Sequence, residues 1–144
     1  MADTFRVLSK DELTWLRQAE ERINGILYEY YFDEEGEGRL DHSEADLDKA
    51  QKVLENEGFG AQQELELLSL GAVLGNVFVA NTPMRWAVVS NEFGTNLGLR
   101  HPESGFVLYP LSMVVKRAEQ GRAVDIPTLY RSFVRDLGLG DDLQ

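Results

Sequence analysis

The sequence predicts an α+β fold with three amino-terminal helices, a three-stranded antiparallel β-meander and two carboxy-terminal helices. Three observations carry that prediction. Apolar residues recur at intervals of three and four as far as residue 79, which is the helical period. Met84, Trp86 and Val88 then alternate with their neighbours, the strand period, and Pro110 and Ile126-Pro127 reopen helical patterns further on. At 144 residues and 43% apolar the chain is sized for one domain over residues 1–144, with residues 1–8 and 139–144 expected to fray.

Ser9 and Glu12 form a capping-box pair, so the first helix is expected from about Lys10 to Phe32, with Leu13, Leu16, Ala19, Ile23, Ile26, Leu27, Tyr30 and Tyr31 on its apolar stripe. A second helix over residues 43–56 turns Leu47, Ala50, Val53 and Leu54 inward and stops at Gly58. The third, over residues 61–79, is apolar nearly all round beyond Leu67 and is therefore expected to be the buried central helix. Its apolar stretch is broken by Ser69, Gly71, Gly75 and Asn76 and falls short of the roughly 20 residues that cross a bilayer. Thr82-Pro83 ends it. Strands follow over residues 84–89, 95–100 and 106–109, the first two joined by a tight turn at Asn91-Glu92-Phe93-Gly94. Short helices over residues 111–120 and 126–137 end at Gly121 and Gly138.

Charge is distributed unevenly. The net charge of −11 lies entirely in residues 1–66, which hold 18 acidic and 7 basic side chains, whereas residues 67–144 hold 7 of each. Such a field repels phosphate backbones and anionic lipid heads, so neither nucleic acid nor membrane is expected as a partner. The absence of Cys excludes disulfides, thiolate metal sites and cysteine nucleophiles. The amino terminus has no basic stretch leading into an apolar run, so a cytoplasmic location is expected.

The sharpest chemical candidate is the interhelical segment from Asp33 to Glu44. On a twelve-residue calcium loop it places carboxylates at positions 1, 3, 5, 9 and 12 and Gly38 at the sixth. The long Glu35 and Glu37 stand where a tight cage takes Asp or Asn, and the loop is unpaired, so a solvated helix-capping loop is the preferred reading. Gly71 and Gly75 have the spacing that lets another element approach a helix closely, and they sit inside a helix, where no phosphate cradle forms. His42 and His101 read as loop histidines. Signatures of serine hydrolases, zinc proteases and nucleotide-phosphate loops are missing. Of the aromatic residues Trp15, Trp86, Tyr28, Tyr30, Tyr31 and Tyr109, Tyr28 lies most clearly off its helix's apolar stripe. Lys116, Arg117 and Arg122 suit the carboxy-terminal end of a helix dipole.

From about Leu40 to Leu137 the sequence resembles a family of small bacterial proteins known as a domain of unknown function. The resemblance rests on Asp46-Leu47 with Gln51, on Leu70-Gly71 with Gly75, on Trp86-Ala-Val-Val followed by Glu92-Phe93-Gly94, and on residues 109–117 with Glu119-Gln-Gly121. It implies a compact α+β domain in a bacterial cytoplasm and carries no activity, so it assigns no catalytic residue and no cofactor.

The expectation for function is a noncatalytic, acidic protein-binding domain of immunity or adaptor type, with no cofactor and no metal, that receives a basic protein partner. Asp33, Glu34, Glu35, Glu37 and Asp41 are the candidate contact residues. Two alternatives stand beside it. One is an enzyme of unrecognised class with a pocket between sheet and helices, in which Arg85, Glu92 or His101 would serve. The other is a calcium-binding module at residues 33–44.

Overall fold

The computed structural model describes residues 3–31, 39–60 and 62–139. In chain order the elements are β1 (Thr4–Arg6), α1 (Lys10–Tyr31), α2 (Ala45–Glu57), α3 (Glu64–Asn81), β2 (Arg85–Asn91), β3 (Gly94–Arg100), β4 (Val107–Leu108), α4 (Pro110–Glu119) and α5 (Ile126–Asp136). The class is α+β, as expected, and the layout needs one correction. The sheet has four antiparallel strands in the order β1-β2-β3-β4, because Thr4, Phe5 and Arg6 pair with Ser90, Val89 and Val88 instead of fraying. A three-residue edge strand is too short to show alternation, and only its partner β2 defines it.

The helix ends follow local chemistry. The Ser9 hydroxyl accepts the Glu12 N–H at 3.2 Å while the Glu12 carboxylate accepts the Ser9 N–H at 2.7 Å, which completes the capping box. Glu12 also takes both ends of the Arg6 guanidinium, at 2.8 and 2.9 Å, and so ties β1 to α1. Gly58 adopts φ 61° at the end of α2 and donates its N–H to Leu54. The start of α3 falls three residues later than expected, since Gln63 closes a turn by donating to the Gly60 carbonyl and accepting its N–H. At the other end of the chain, Leu139 is 3% exposed and joins the core, a second correction to the expected fraying.

Helix α3 is the hub, packing against α1, α2, α4, α5 and β2. It is long and apolar enough by composition to cross a membrane, and the fold buries it inside protein, with Leu67, Leu70, Leu74, Val77 and Phe78 fully covered. Its two glycines explain how two elements reach it. A Cβ on Gly71 would lie 2.6 Å from the Pro110 carbonyl oxygen and 2.7 Å from the Leu111 Cα, and one on Gly75 would enter the Trp86 ring. Ridges of ordinary side chains would hold α4 and β2 away from this helix.

Replacing Gly71 or Gly75 by Ala should therefore lower stability by about 1–3 kcal/mol, since backbone and an indole ring have to move. Gly25 on α1 faces open space, so Gly25→Ala should raise stability by about 0.5–1 kcal/mol through helix propensity alone. Urea unfolding of the three variants tests both signs.

Candidate functional site

The acidic segment between α1 and α2 is anchored at its described end by one buried carboxylate. Asp46, 1% exposed, accepts the backbone N–H groups of Asp41 at 3.1 and 3.2 Å and of His42 at 2.8 Å, with Lys49 Nζ 3.9 Å away. These bonds hold His42 at φ 69°, a conformation a non-glycine residue keeps only when its surroundings fix it. Asn24, buried on α1, accepts the Leu40 N–H at 2.9 Å, and Lys49 donates to the Arg39 carbonyl at 2.7 Å.

A polar chain runs from this loop into the core. With a carboxylate as acceptor the His42 proton lies on Nε2, which donates to Glu20 Oε2 at 2.6 Å. The same oxygen accepts from Asn76 Nδ2 at 2.9 Å, and Asn76 Oδ1 accepts from Trp86 Nε1 at 3.0 Å. Asn81 Nδ2 reaches the His42 carbonyl at 2.9 Å. Loop, α1, α3 and β2 are thus joined through side chains whose polar groups are satisfied where they are half-buried.

Of the five expected contact residues, Asp33, Glu34, Glu35 and Glu37 lie outside the described residues, as does the first half of the calcium-like loop. Asp41 is exposed, and its carboxylate accepts from the Ser43 N–H at 3.0 Å and the Ser43 hydroxyl at 2.6 Å. Those donors hold it at about 2, below the usual carboxylate range. Among the described residues no cluster of three His, Asp or Glu side chains could hold a metal. Tyr28 is 67% exposed, as its off-stripe position predicts.

Arg85, Glu92 and His101 are not brought together. Glu92 is exposed in the β2–β3 turn, and His101 lies past β3, its Nδ1 accepting the N–H groups of Glu103 and Ser104 at 3.2 Å each. Arg85 lines a hollow of about 250 Å³ beside Phe5 and Arg100 that includes neither of the other two. Two larger hollows, of about 730 and 430 Å³, meet where the sheet passes α1, α3 and α4, and share Leu68, Asn96, Leu97 and Leu111. Their titratable lining is sparse: Asp3, Tyr109 and Lys116 in the larger, Asp11 and Glu12 in the smaller. Both lie between sheet and helices, where the enzyme alternative places its pocket, and neither is lined by Arg85, Glu92 or His101.

The described ion pairs are Arg6–Glu12, His42–Glu20, Lys49–Asp46 and Arg135–Asp136. None joins a carboxylate before residue 67 to a basic side chain after it. Asp11, Glu21, Glu29, Asp48, Glu55, Glu57 and Glu64 are exposed on α1, α2 and the first turn of α3. Arg85 and Arg100 stand on β2 and β3, Lys116 and Arg117 on α4, Arg131 and Arg135 on α5. A hollow of about 240 Å³ between α2 and α5 has Glu44, Asp48, Tyr130 and Arg131 in its lining, so the two groups share one wall there. Burial, reinforced by Glu44, raises the Tyr130 hydroxyl above its ordinary range, so it stays a neutral donor.

A family model described as a domain of unknown function (DUF3806) matches residues 46–130, more than half of the chain. No curated protein matches it. Among solved structures, a protein from Bacteroides thetaiotaomicron VPI-5482, determined at 1.50 Å resolution, is similar at a TM-score of 0.77 and 16% identity. That likeness covers 93% of this chain and 48% of the other, so this chain spans about half the length of its structural neighbour, and at such identity it shows the fold alone.

Two outcomes follow for the loop. Asp46→Ala orphans the Asp41 and His42 N–H groups and should cost about 2–3 kcal/mol in urea unfolding. The Asp41 carboxyl is held down to about 2 from 3.8, so its contribution is present above about pH 4 and lost as pH falls toward 2. The Asp46 carboxyl is pushed up by burial, so its linkage has the opposite sign: the contribution is complete at low pH and fades as pH rises through its folded value. Melting temperature against pH should accordingly show a shallower acid limb in Asp41→Asn, which keeps the accepting oxygen but cannot titrate.

Proposed function

We propose, for a chain that belongs to the DUF3806 family of domains of unknown function, a noncatalytic role in which its acidic helices receive a basic protein partner in a bacterial cytoplasm. An immunity or adaptor protein is the most concrete form of this reading. The observation that carries it is the absence, among the described residues, of any ion pair between the acidic first half and the arginines and lysines of the second. Carboxylates left without internal cations keep their field, which speeds encounter with a cationic surface and orients it. Asp41 and the neighbouring Asp33, Glu34, Glu35 and Glu37 are the proposed contact patch, with Asp48, Glu55 and Glu57 of α2 extending it.

Gln51, Asp46, Gly71 and Gly75 of the family motifs support a scaffold role, because they are used in packing or in fastening elements together, whereas Tyr109, Ser112 and Lys116 of the last motif line the hollow of about 730 Å³. Gln51 accepts the Ile126 N–H at 2.8 Å and donates to the Val124 carbonyl at 3.0 Å, fastening α2 to the start of α5. Asp46 anchors the loop, Gly71 and Gly75 admit α4 and Trp86, and Trp86 is held by Asn76. None of these side chains converges on a hollow with an acid and a base.

Affinity capture from the native cell with wild-type protein should retain a basic protein at low ionic strength and lose it at high ionic strength. A variant with Glu34, Glu35 and Glu37 changed to Gln should retain it at least tenfold less well at low salt. Retention that is indifferent both to salt and to these changes, or no retained protein at low salt, overturns the reading.

A further inference from the structure

One patch of this acidic protein has the opposite character. Arg85 on β2 and Arg100 on β3 are direct cross-strand partners, and Phe5 of β1 shares their face of the sheet, since it pairs with Val89 two positions along the same pleat from Ala87. Opposed residues in an antiparallel pair stand about 5 Å apart at Cβ, and two like charges there repel. A sheet usually offsets such a pair with a carboxylate on a neighbouring strand. Here the hollow of about 250 Å³ is lined by Phe5, Arg6, Val7, Arg85, Trp86, Ala87, Arg100 and Pro102, with no acidic residue among them.

The hydrogen-bonding account leaves the two guanidinium groups with capacity to spare. Arg6, the third arginine of the lining, is already spent on Glu12 through both of its ends. Arg85 makes two long contacts, both from Nη1 and both at 3.3 Å, to the carbonyls of Pro83 and Met84. Arg100 has no acceptor in the protein among the described residues, and its buried Nε is left without one. What holds Arg100 is the Phe5 ring, whose centroid lies 4.1 Å from the guanidinium carbon. Stacking of this kind fixes the plane of the fork while leaving its edge donors available.

We propose that this hollow is an oxyanion site that takes a phosphate group between Arg85 and Arg100. Two positive charges match the near-dianionic charge of a phosphomonoester at neutral pH, and two planar forks supply more donors than a single carboxylate can accept. The hollow of about 250 Å³ is roomier than a phosphate group alone, so it admits either free phosphate or the phosphate of a larger phosphomonoester together with part of its ester group. Bound there, the anion removes the cross-strand repulsion and gives the Arg85 and Arg100 N–H groups acceptors. The site lies on the sheet, apart from the acidic helices, and stands whether or not those helices bind a basic partner.

The test is a titration of the full chain with inorganic phosphate and, separately, with phenyl phosphate, at an ionic strength held constant with sodium chloride. The readout is the ¹⁵N-resolved Nε–H resonances of Arg85 and Arg100 together with the melting temperature. Saturable shifts of both resonances and a rise in melting temperature are expected, with apparent affinity falling at least tenfold in Arg85→Gln and in Arg100→Lys. Tighter binding of inorganic phosphate assigns the free anion, and tighter binding of phenyl phosphate assigns an ester. Shifts that do not saturate, that chloride reproduces, or that persist undiminished in both variants overturn the proposal. The wild-type titration decides alone if either variant fails to fold.

Discussion

The close approach of two elements to one helix is the constraint on which the rest of this fold depends. Helix α3 has apolar residues on nearly every side, so it can only exist wrapped by other elements, and five of them surround it. Gly71 and Gly75 decide how near two of those elements come. The start of α4 lies with its backbone against Gly71, and the Trp86 ring of β2 lies against Gly75. Pro110 makes the first contact possible in a second sense, since its fixed φ starts α4 at the point where the chain leaves β4. Replace one hydrogen on each of these two glycines with a methyl group, and sheet and α4 both have to move outward from a core packed at native density.

The same contact sets where polar groups can be buried. Trp86 brings an indole N–H to the surface of α3, and Asn76 one position beyond Gly75 meets it. Asn76 passes the chain of hydrogen bonds to Glu20, and Glu20 to His42, so the loop before α2 is positioned by a residue of the sheet. From the other side Asp46 fixes that loop through two backbone N–H groups at the cost of burying a carboxylate. Residues 40–42, the described end of the interhelical segment, are thereby fixed between α1 and α2.

Much of the architecture was legible because caps and glycines are local. Ser9 and Glu12 marked the start of α1, Gly58 the end of α2, and the turn at Asn91 and Gly94 fixed the hairpin. What escaped depended on partners distant in sequence. The strand at Thr4–Arg6 has no pattern of its own, and Leu139 is buried by the core it meets and not by its neighbours in the chain. The acidic patch was legible as composition, whereas the use of Asp41 as the acceptor for Ser43 and of Asp46 as the loop's anchor was not. The facing of Arg85 and Arg100 was recoverable in principle: a two-residue turn fixes the register, and equal steps back from Asn91 and forward from Gly94 reach both arginines. Charge summed along the chain hides that pairing, because the two arginines stand fifteen positions apart and meet only across the hairpin.

A protein of net charge −11 with an arginine-lined hollow presents two electrostatic scales, and screening separates them. At physiological ionic strength fields decay over about 8 Å, so the carboxylates of α1 and α2 act on what approaches them and are nearly invisible across the sheet. Within a hollow of about 250 Å³ the nearest charges are two guanidinium groups at contact range, and these dominate whatever the distant acids contribute. Segregation of the two charge types makes both behaviours possible in one small fold. Had the six arginines of the second half folded back onto the acidic first half, its net charge of −11 would fall to −5 and the arginine-lined hollow would not exist. Among the described residues, the ion pairs bind near neighbours or stitch α1 to the loop beside it, and none joins the two faces.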